Sequence, residues 1–170
     1  MKLLLNLLLI AGSILCTQRL SAQTDKLLET LPKSKEEYTA SEPNVINTVN
    51  WLEDTPLDQD ADKRQAQTTL LVGWLTNAPQ VSVTIDAKMM PFVTKGTEVL
   101  MVMFMGGWTK YCLQNNYSKD RVQCNLAGIR SAIKVYKKGG LKKNKDMQKL
   151  ITLDDKGELE QWVKDTLKKG

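Results

Sequence analysis

"VLMVMFMGGW", residues 99–108, sets seven consecutive apolar residues before two glycines and a tryptophan, in a chain that is 25% charged. Three structures would produce such a run: a membrane segment, the wall of a site, or a helix enclosed by other helices. The run ends within ten residues, between Glu98 and Lys110, whereas a bilayer span needs roughly 20 apolar residues. A helix that is apolar all round is expected where other helices surround it. The stretch therefore predicts a buried helix over about residues 97–115, and an all-α fold grown around it.

The segment after it supplies a partner. Ser118 can cap a helix whose start Asp120 also favours. That helix presents Val122, Leu126, Ile129, Ile133 and Tyr136 on one side and Cys124, Ala127, Gly128, Ser131 and Val135 on another, and it stops at Gly139-Gly140. In an antiparallel hairpin turning at Ser118, residues whose numbers sum to 236 lie opposite one another. Cys112 then meets Cys124, Trp108 meets Gly128, Met105 meets Ser131 and Met101 meets Val135, so large residues face small ones. A structural disulfide between Cys112 and Cys124 is expected if the chain is exported, and its loop of about a dozen residues would contribute on the order of 3 kcal/mol. Two buried free cysteines are the alternative. No Cys-x-x-Cys arrangement exists for a thioredoxin-type redox pair.

Upstream, residues 23–40 are polar and read as a mobile lead-in. A helix is expected from Ser41, with Pro43 in its first turn and Val45, Ile46, Val49 and Leu52 on its buried face. "DTPLDQD" breaks it, and a second helix runs from Asp60 or Asp62 to Thr76, ended by Ala78-Pro79. "QVSVTID", residues 80–86, alternates like a strand, but a lone strand has no pairing partner. An extended connector over the helices is the favoured reading, and docking on another molecule is the other. Met89, Met90 and Phe92 would then cover the core, and two short helices around Met147, Leu150 and Ile151 and around Leu159, Trp162, Val163 and Leu167 complete the chain. The expected architecture is one domain over residues 41–170, an irregular antiparallel helical bundle or a short repeat-like array of five or six helices. "GW" recurs at 73–74 and 107–108, a tetratricopeptide-like spacing, but nothing else of that repeat does.

The chain begins with Lys2, an apolar stretch and then Leu20-Ser21-Ala22 before Gln23, the pattern of a cleaved export signal over residues 1–22. Export to the periplasm, the cell surface or the medium is the expectation. Leu15 stands where lipid attachment at Cys16 would require a small residue. Removal of Lys2 and Arg19 lowers the formal charge from +5 to +3. Residues 23–62 carry ten acids against three lysines, and residues 95–170 sixteen basic residues against eight acids, so the molecule is dipolar.

Catalytic classes thin out quickly. There is no histidine, which removes the usual triad base and the commonest zinc ligand. Asp58, Asp60 and Asp62 have the first spacings of a calcium loop, but Lys63 and Thr69 stand where it needs glycine and glutamate. Glu53-Asp54 and Asp154-Asp155 are the carboxylate pairs, each near a helix end where exposure is the default. Neither a metal nor a cofactor is expected. Lys134, Lys137, Lys138, Lys142, Lys143, Lys145 and Lys149 form a candidate interaction face for an acidic partner, a protein or an envelope component. With only Tyr136 interleaved it lacks a stacking platform, so nucleic acid is not the expected partner. Trp51, Trp74, Trp108 and Trp162 fit core positions better than a ligand pocket.

With "LSAQ" at residues 20–23, "WLTNAPQVSVTID" at 74–86 and "GWTKYCLQNNYSKDRVQCNLAGI" at 107–129, the chain resembles small helical proteins exported by Bacteroidota. That resemblance spans the mature chain and implies an envelope location, but it carries no catalytic motif. In size, export and cysteines around a helical hairpin the chain also resembles small periplasmic immunity proteins, without their dense disulfides. A non-catalytic exported binding module is the functional expectation. The alternatives are a small envelope hydrolase using carboxylate or lysine chemistry, or an inhibitor of immunity type.

Overall fold

A computed structural model describes residues 26–169; the expected export segment, 1–22, lies outside the described residues. The described chain is an all-α bundle: α1 Lys35–Asp54, α2 Ala61–Asn77, α3 Val99–Gln114, α4 Arg121–Lys137, α5 Lys145–Asp155 and α6 Leu159–Lys168. No strand occurs among these residues, and no helix of theirs is long and apolar enough to cross a membrane.

The opening stretch forms α3, and α3 lies between α1 and α2 on one flank and α4 on another. Its two glycines serve different neighbours. A Cβ on Gly106 would stand 3.2 Å from Val49 of α1 and 3.5 Å from Leu71 of α2. A Cβ on Gly107 would stand 2.4 Å from the Cβ of Ser131 and 2.7 Å from the carbonyl oxygen of Ala127, both on α4. Removing the side chain at residue 107 lets two backbones approach more closely than any other residue permits. Leu100, Met103, Phe104 and Trp108 complete a helix buried on nearly every side.

The hairpin register matches the expected one, since Gly107 sits between Ala127 and Ser131 and Cys112 lies beside Cys124. The rotational phase differs. Gly128 faces Phe104, whose ring and carbonyl oxygen would both lie 2.8 Å from an added Cβ, and Ser131 faces Gly107 rather than Met105. Met101 is exposed, while Met105 and Trp108 line a cleft. The pairing of large with small therefore holds for Phe104 and Gly128, but the closest approach is small on small.

The expected start at Ser41 is corrected. Helix α1 begins two turns earlier, where Ser34 Oγ accepts from the Glu37 amide and the Glu37 carboxylate accepts from the Lys33 amide, a reciprocal capping arrangement. Pro43 thus lies inside the helix at an exposed position. Ser41 instead donates to the Tyr38 carbonyl and accepts from the indole of buried Trp74. Nor do residues 26–34 hang free. Leu28 is buried, its amide donates to Thr48 Oγ1 at 2.9 Å, and its carbonyl accepts from Gln67 at 3.0 Å. At the other end of α1, the guanidinium of buried Arg64 donates to the carbonyls of Leu52, Thr55 and Pro56, placing a cation where the helix dipole is negative.

Between α2 and α3 the chain runs without regular structure apart from a single turn of 3₁₀ helix at Ala87–Met89 and the turns that follow it. Met89, Met90 and Phe92 cover the core. Asn144, the N-cap of α5, donates to the Phe92 carbonyl and receives the Met147 amide, tying the connector to the second half of the chain. The two Gly-Trp pairs share no structural role, because Gly73 faces only the side chain of Leu31.

These contacts set opposite expectations for two glycine substitutions. Gly107→Ala forces backbone against backbone and is expected to cost about 1–3 kcal/mol. Gly73→Ala meets a mobile side chain on a half-exposed residue and is expected to be neutral or to stabilise by up to about 1 kcal/mol through helix propensity. Urea unfolding of both variants checks this; an equal or inverted ranking would remove the close α3–α4 approach as a structural requirement.

Candidate functional site

The lysine face divides. Lys134 pairs with Glu53 and Asp54, and Lys137 with Asp155 at 3.1 Å. Lys138, Lys142, Lys143, Lys145 and Lys149 are exposed and make no ion pair among the described residues. All four acids of the two carboxylate pairs are engaged, since Asp154 accepts from Arg130 at 2.9 Å. No group of three or more possible metal-ligating side chains comes together among the described residues.

Glu53 is the unexpected member. Its side chain is 4% exposed and joins α1 to both α3 and α4. Lys110 Nζ lies 2.8 Å from each carboxylate oxygen, Ser131 Oγ donates to Oε1 at 2.8 Å, and Lys134 Nζ lies 3.2 Å from Oε2. Asn50 shares Lys110 at 3.1 Å, and Asp54 shares Lys134 at 2.8 Å. Burial works against the charge on Lys134, but its hydrogen bonds to Asp54 and Glu53 outweigh this and raise its pKa; the same bond lowers that of Asp54. Every donor here is directed at a carboxylate. Ser131 spends its proton on Glu53, and Lys134 is held charged, so the arrangement neutralises a buried charge and offers no free nucleophile or base. A shallow depression of ≈ 240 Å³ lies over it.

A larger cavity lies elsewhere. A cleft of ≈ 850 Å³ opens between the connector, residues 78–85, and the helices it crosses. Val72, Leu75 and Thr76 of α2 form one wall, Met105, Trp108 and Cys112 of α3 the floor, and Tyr117, Ser118, Lys119 and Arg121 one end. Two of the large exposed apolar side chains of the molecule, Ile85 and Tyr117, belong to this lining. Among the described residues its charged lining side chains are Lys119 and Arg121, with no carboxylate. The α3–α4 turn at that end is tight, with Asn116 and Tyr117 both left-handed at φ 51° and 56°. Tyr117 is fixed there by its amide on the Cys112 carbonyl and its hydroxyl on Glu42.

Of the four tryptophans, Trp74 and Trp108 are buried, while Trp51 and Trp162 are half-buried. Trp51 carries the Lys63 ammonium 4.7 Å above its ring. Trp108 is both core and cleft floor, so the choice between packing and ligand contact was not exclusive.

The expected disulfide is corrected to a thiol pair. Cys112 and Cys124 meet at the predicted register, but their sulfurs stand 3.6 Å apart and both are free, against about 2.05 Å for a disulfide. Both thiols also lie near the Ser118 carbonyl. Burial raises both pKa values, that of Cys124 to about 12, which leaves little thiolate at neutral pH.

Two measurements follow from these groups. Glu53→Ala removes the buried acceptor of Lys110, Lys134 and Ser131 and is expected to cost about 1–3 kcal/mol in urea unfolding, whereas exposed Asp54→Ala should cost less than about 1 kcal/mol; similar losses would contradict the cluster. For the thiols, the folded state holds the Cys124 proton more tightly than the unfolded chain, where thiols titrate near pH 8.5. Stability from this source is complete below about pH 8.5 and declines as the pH rises toward 12. Between pH 8 and 11 the reduced protein should therefore lose stability more steeply than Cys124→Ala, and parallel curves would contradict the buried thiol.

Comparison with family models, with curated proteins and with solved structures finds no match to this chain.

Proposed function

We propose that this protein is a non-catalytic, exported binding module whose ligand occupies the cleft between the connector and α2, α3 and α4. The observation that carries this reading is the cleft itself. Its volume of ≈ 850 Å³ lies within the range of roughly 300–1,000 Å³ usual for ligand sites. Leu75, Met105 and exposed Ile85 supply apolar surface beside the polar groups of the connector, and Lys119 with Arg121 favours negative charge. The ligand is thus an apolar molecule bearing an anionic group. The competing polar centre at Glu53 has its donors and acceptors spent on one another. The lysines from Lys138 to Lys149 line none of the cavities described above, and their exposed charge serves to steer a partner toward the molecule.

An apolar anionic dye, anilinonaphthalene sulfonate, tests the site. Saturable one-to-one binding is expected by fluorescence titration. Thr76→Trp, which fills the cleft from an exposed helix position, should abolish it without altering the helical circular dichroism. Absence of saturable binding, or equal binding by the filled variant, would overturn the reading.

A further inference from the structure

From Val81 to Ile85 the connector belongs to no helix, strand or turn, and no amide or carbonyl of these five residues makes a backbone hydrogen bond among the described residues. Val81 is buried and Val83 half-buried, so the segment is anchored to the bundle by its own side chains. Ser82 and Thr84 are exposed and make no side-chain hydrogen bond there. An anchored segment of β-branched alternation with unpaired backbone groups beside an open cleft can serve as a template for one further strand.

We infer that the cleft takes an extended peptide segment of a partner protein, one that alternates apolar and acidic side chains, and that this segment pairs with Val81 to Ile85 by strand addition. The inference rests on the cleft reading above and specifies its occupant. Strand addition draws affinity from main-chain hydrogen bonds and specificity from pockets for alternate side chains. Along an added strand every second side chain would face the apolar floor at Met105 and Trp108. Side chains of the other parity would face outward, within the field of Lys119 and Arg121, the two cations that no lining carboxylate offsets. A compact apolar anion would satisfy the floor and the cations but leave the five backbone units unused. An extended peptide uses all three features.

The probe is a terminally blocked peptide of about eight residues alternating glutamate and valine, long enough to cover a typical strand. Binding is measured by fluorescence anisotropy, and amide hydrogen exchange is read residue by residue over 80–86. The inference expects saturable binding with slowed exchange at alternate amides between Val81 and Ile85, because successive residues of a strand point their amides to opposite edges. It also expects loss of binding when alternate peptide amides are N-methylated, and roughly tenfold weaker binding to Lys119→Glu/Arg121→Glu. A lysine-valine peptide should not bind. If the N-methylated peptide binds as well as the parent, or if exchange over 81–85 is unchanged, strand addition is overturned while the cleft reading stands. If only the small dye binds, the peptide occupant is overturned in the same way. If neither dye nor peptide binds, both readings fall together.

Discussion

The close approach of α3 to α4 at Gly107 is the constraint on which the rest depends. With side-chain bulk absent there, the Ser131 Cβ and the Ala127 carbonyl occupy space that any side chain at residue 107 would claim. Gly128 repeats the device against Phe104. Two helices held this near leave little room for long side chains at their contact, so a large residue of α3 fits there only opposite a glycine of α4. Phe104 packs onto Gly128, while Met105 and Trp108 turn toward the connector. The cleft floor is thus a consequence of helix packing on the opposite side of the same helix.

The same approach determines where a charge can be buried. Ser131 reaches Glu53 only because α4 lies close against α3, and Lys110 reaches it from α3 itself. A carboxylate removed from water must be paired and hydrogen-bonded, and here its donors come from both neighbouring helices. Sliding any of the three helices by one turn would leave the carboxylate buried and its partners misplaced. Well-packed apolar residues would serve bulk stability equally well; what the cluster adds is a penalty against wrong registers.

Periodicity was sufficient for the helices and for their number, because "VLMVMFMGGW" admits few alternatives and α4 has a clean apolar face. Register was legible too, since a turn near Ser118 sets which residues oppose one another. Phase was not, because it depends on which glycine contacts which neighbour, and Gly106 and Gly107 look alike in the sequence. The start of α1 was legible in Ser34-Lys35-Glu36-Glu37, a capping signature; Ser41 drew the boundary instead because Pro43 is more at home in a first turn. Burial of Glu53 was also readable, as it continues the stripe of Val45, Val49 and Leu52 at helical spacing. The assumption that acids near a helix end face water concealed it. The cleft could not be read from the sequence, since it is assembled from three helices and a connector distant in the chain.

The connector stands apart because its local preference disagrees with the fold around it. Val81, Val83 and Ile85 alternate with Ser82 and Thr84, a β-branched pattern suited to a pleated, half-buried strand. The surrounding molecule is helical and offers no strand to pair with it among the described residues. A connector needed only to span from α2 to α3 could be made of any turn-forming residues, whereas β-branched side chains beside five residues with unpaired backbone groups favour an extended conformation. Natural sequences are locally consistent with their folds, and departures concentrate where function requires them. Here the departure borders the ≈ 850 Å³ cleft, whose lining includes the cations Lys119 and Arg121 and the exposed side chain of Ile85. Pairing with a partner strand, as proposed above, would give this β-branched pattern a use that the helical bundle itself does not supply.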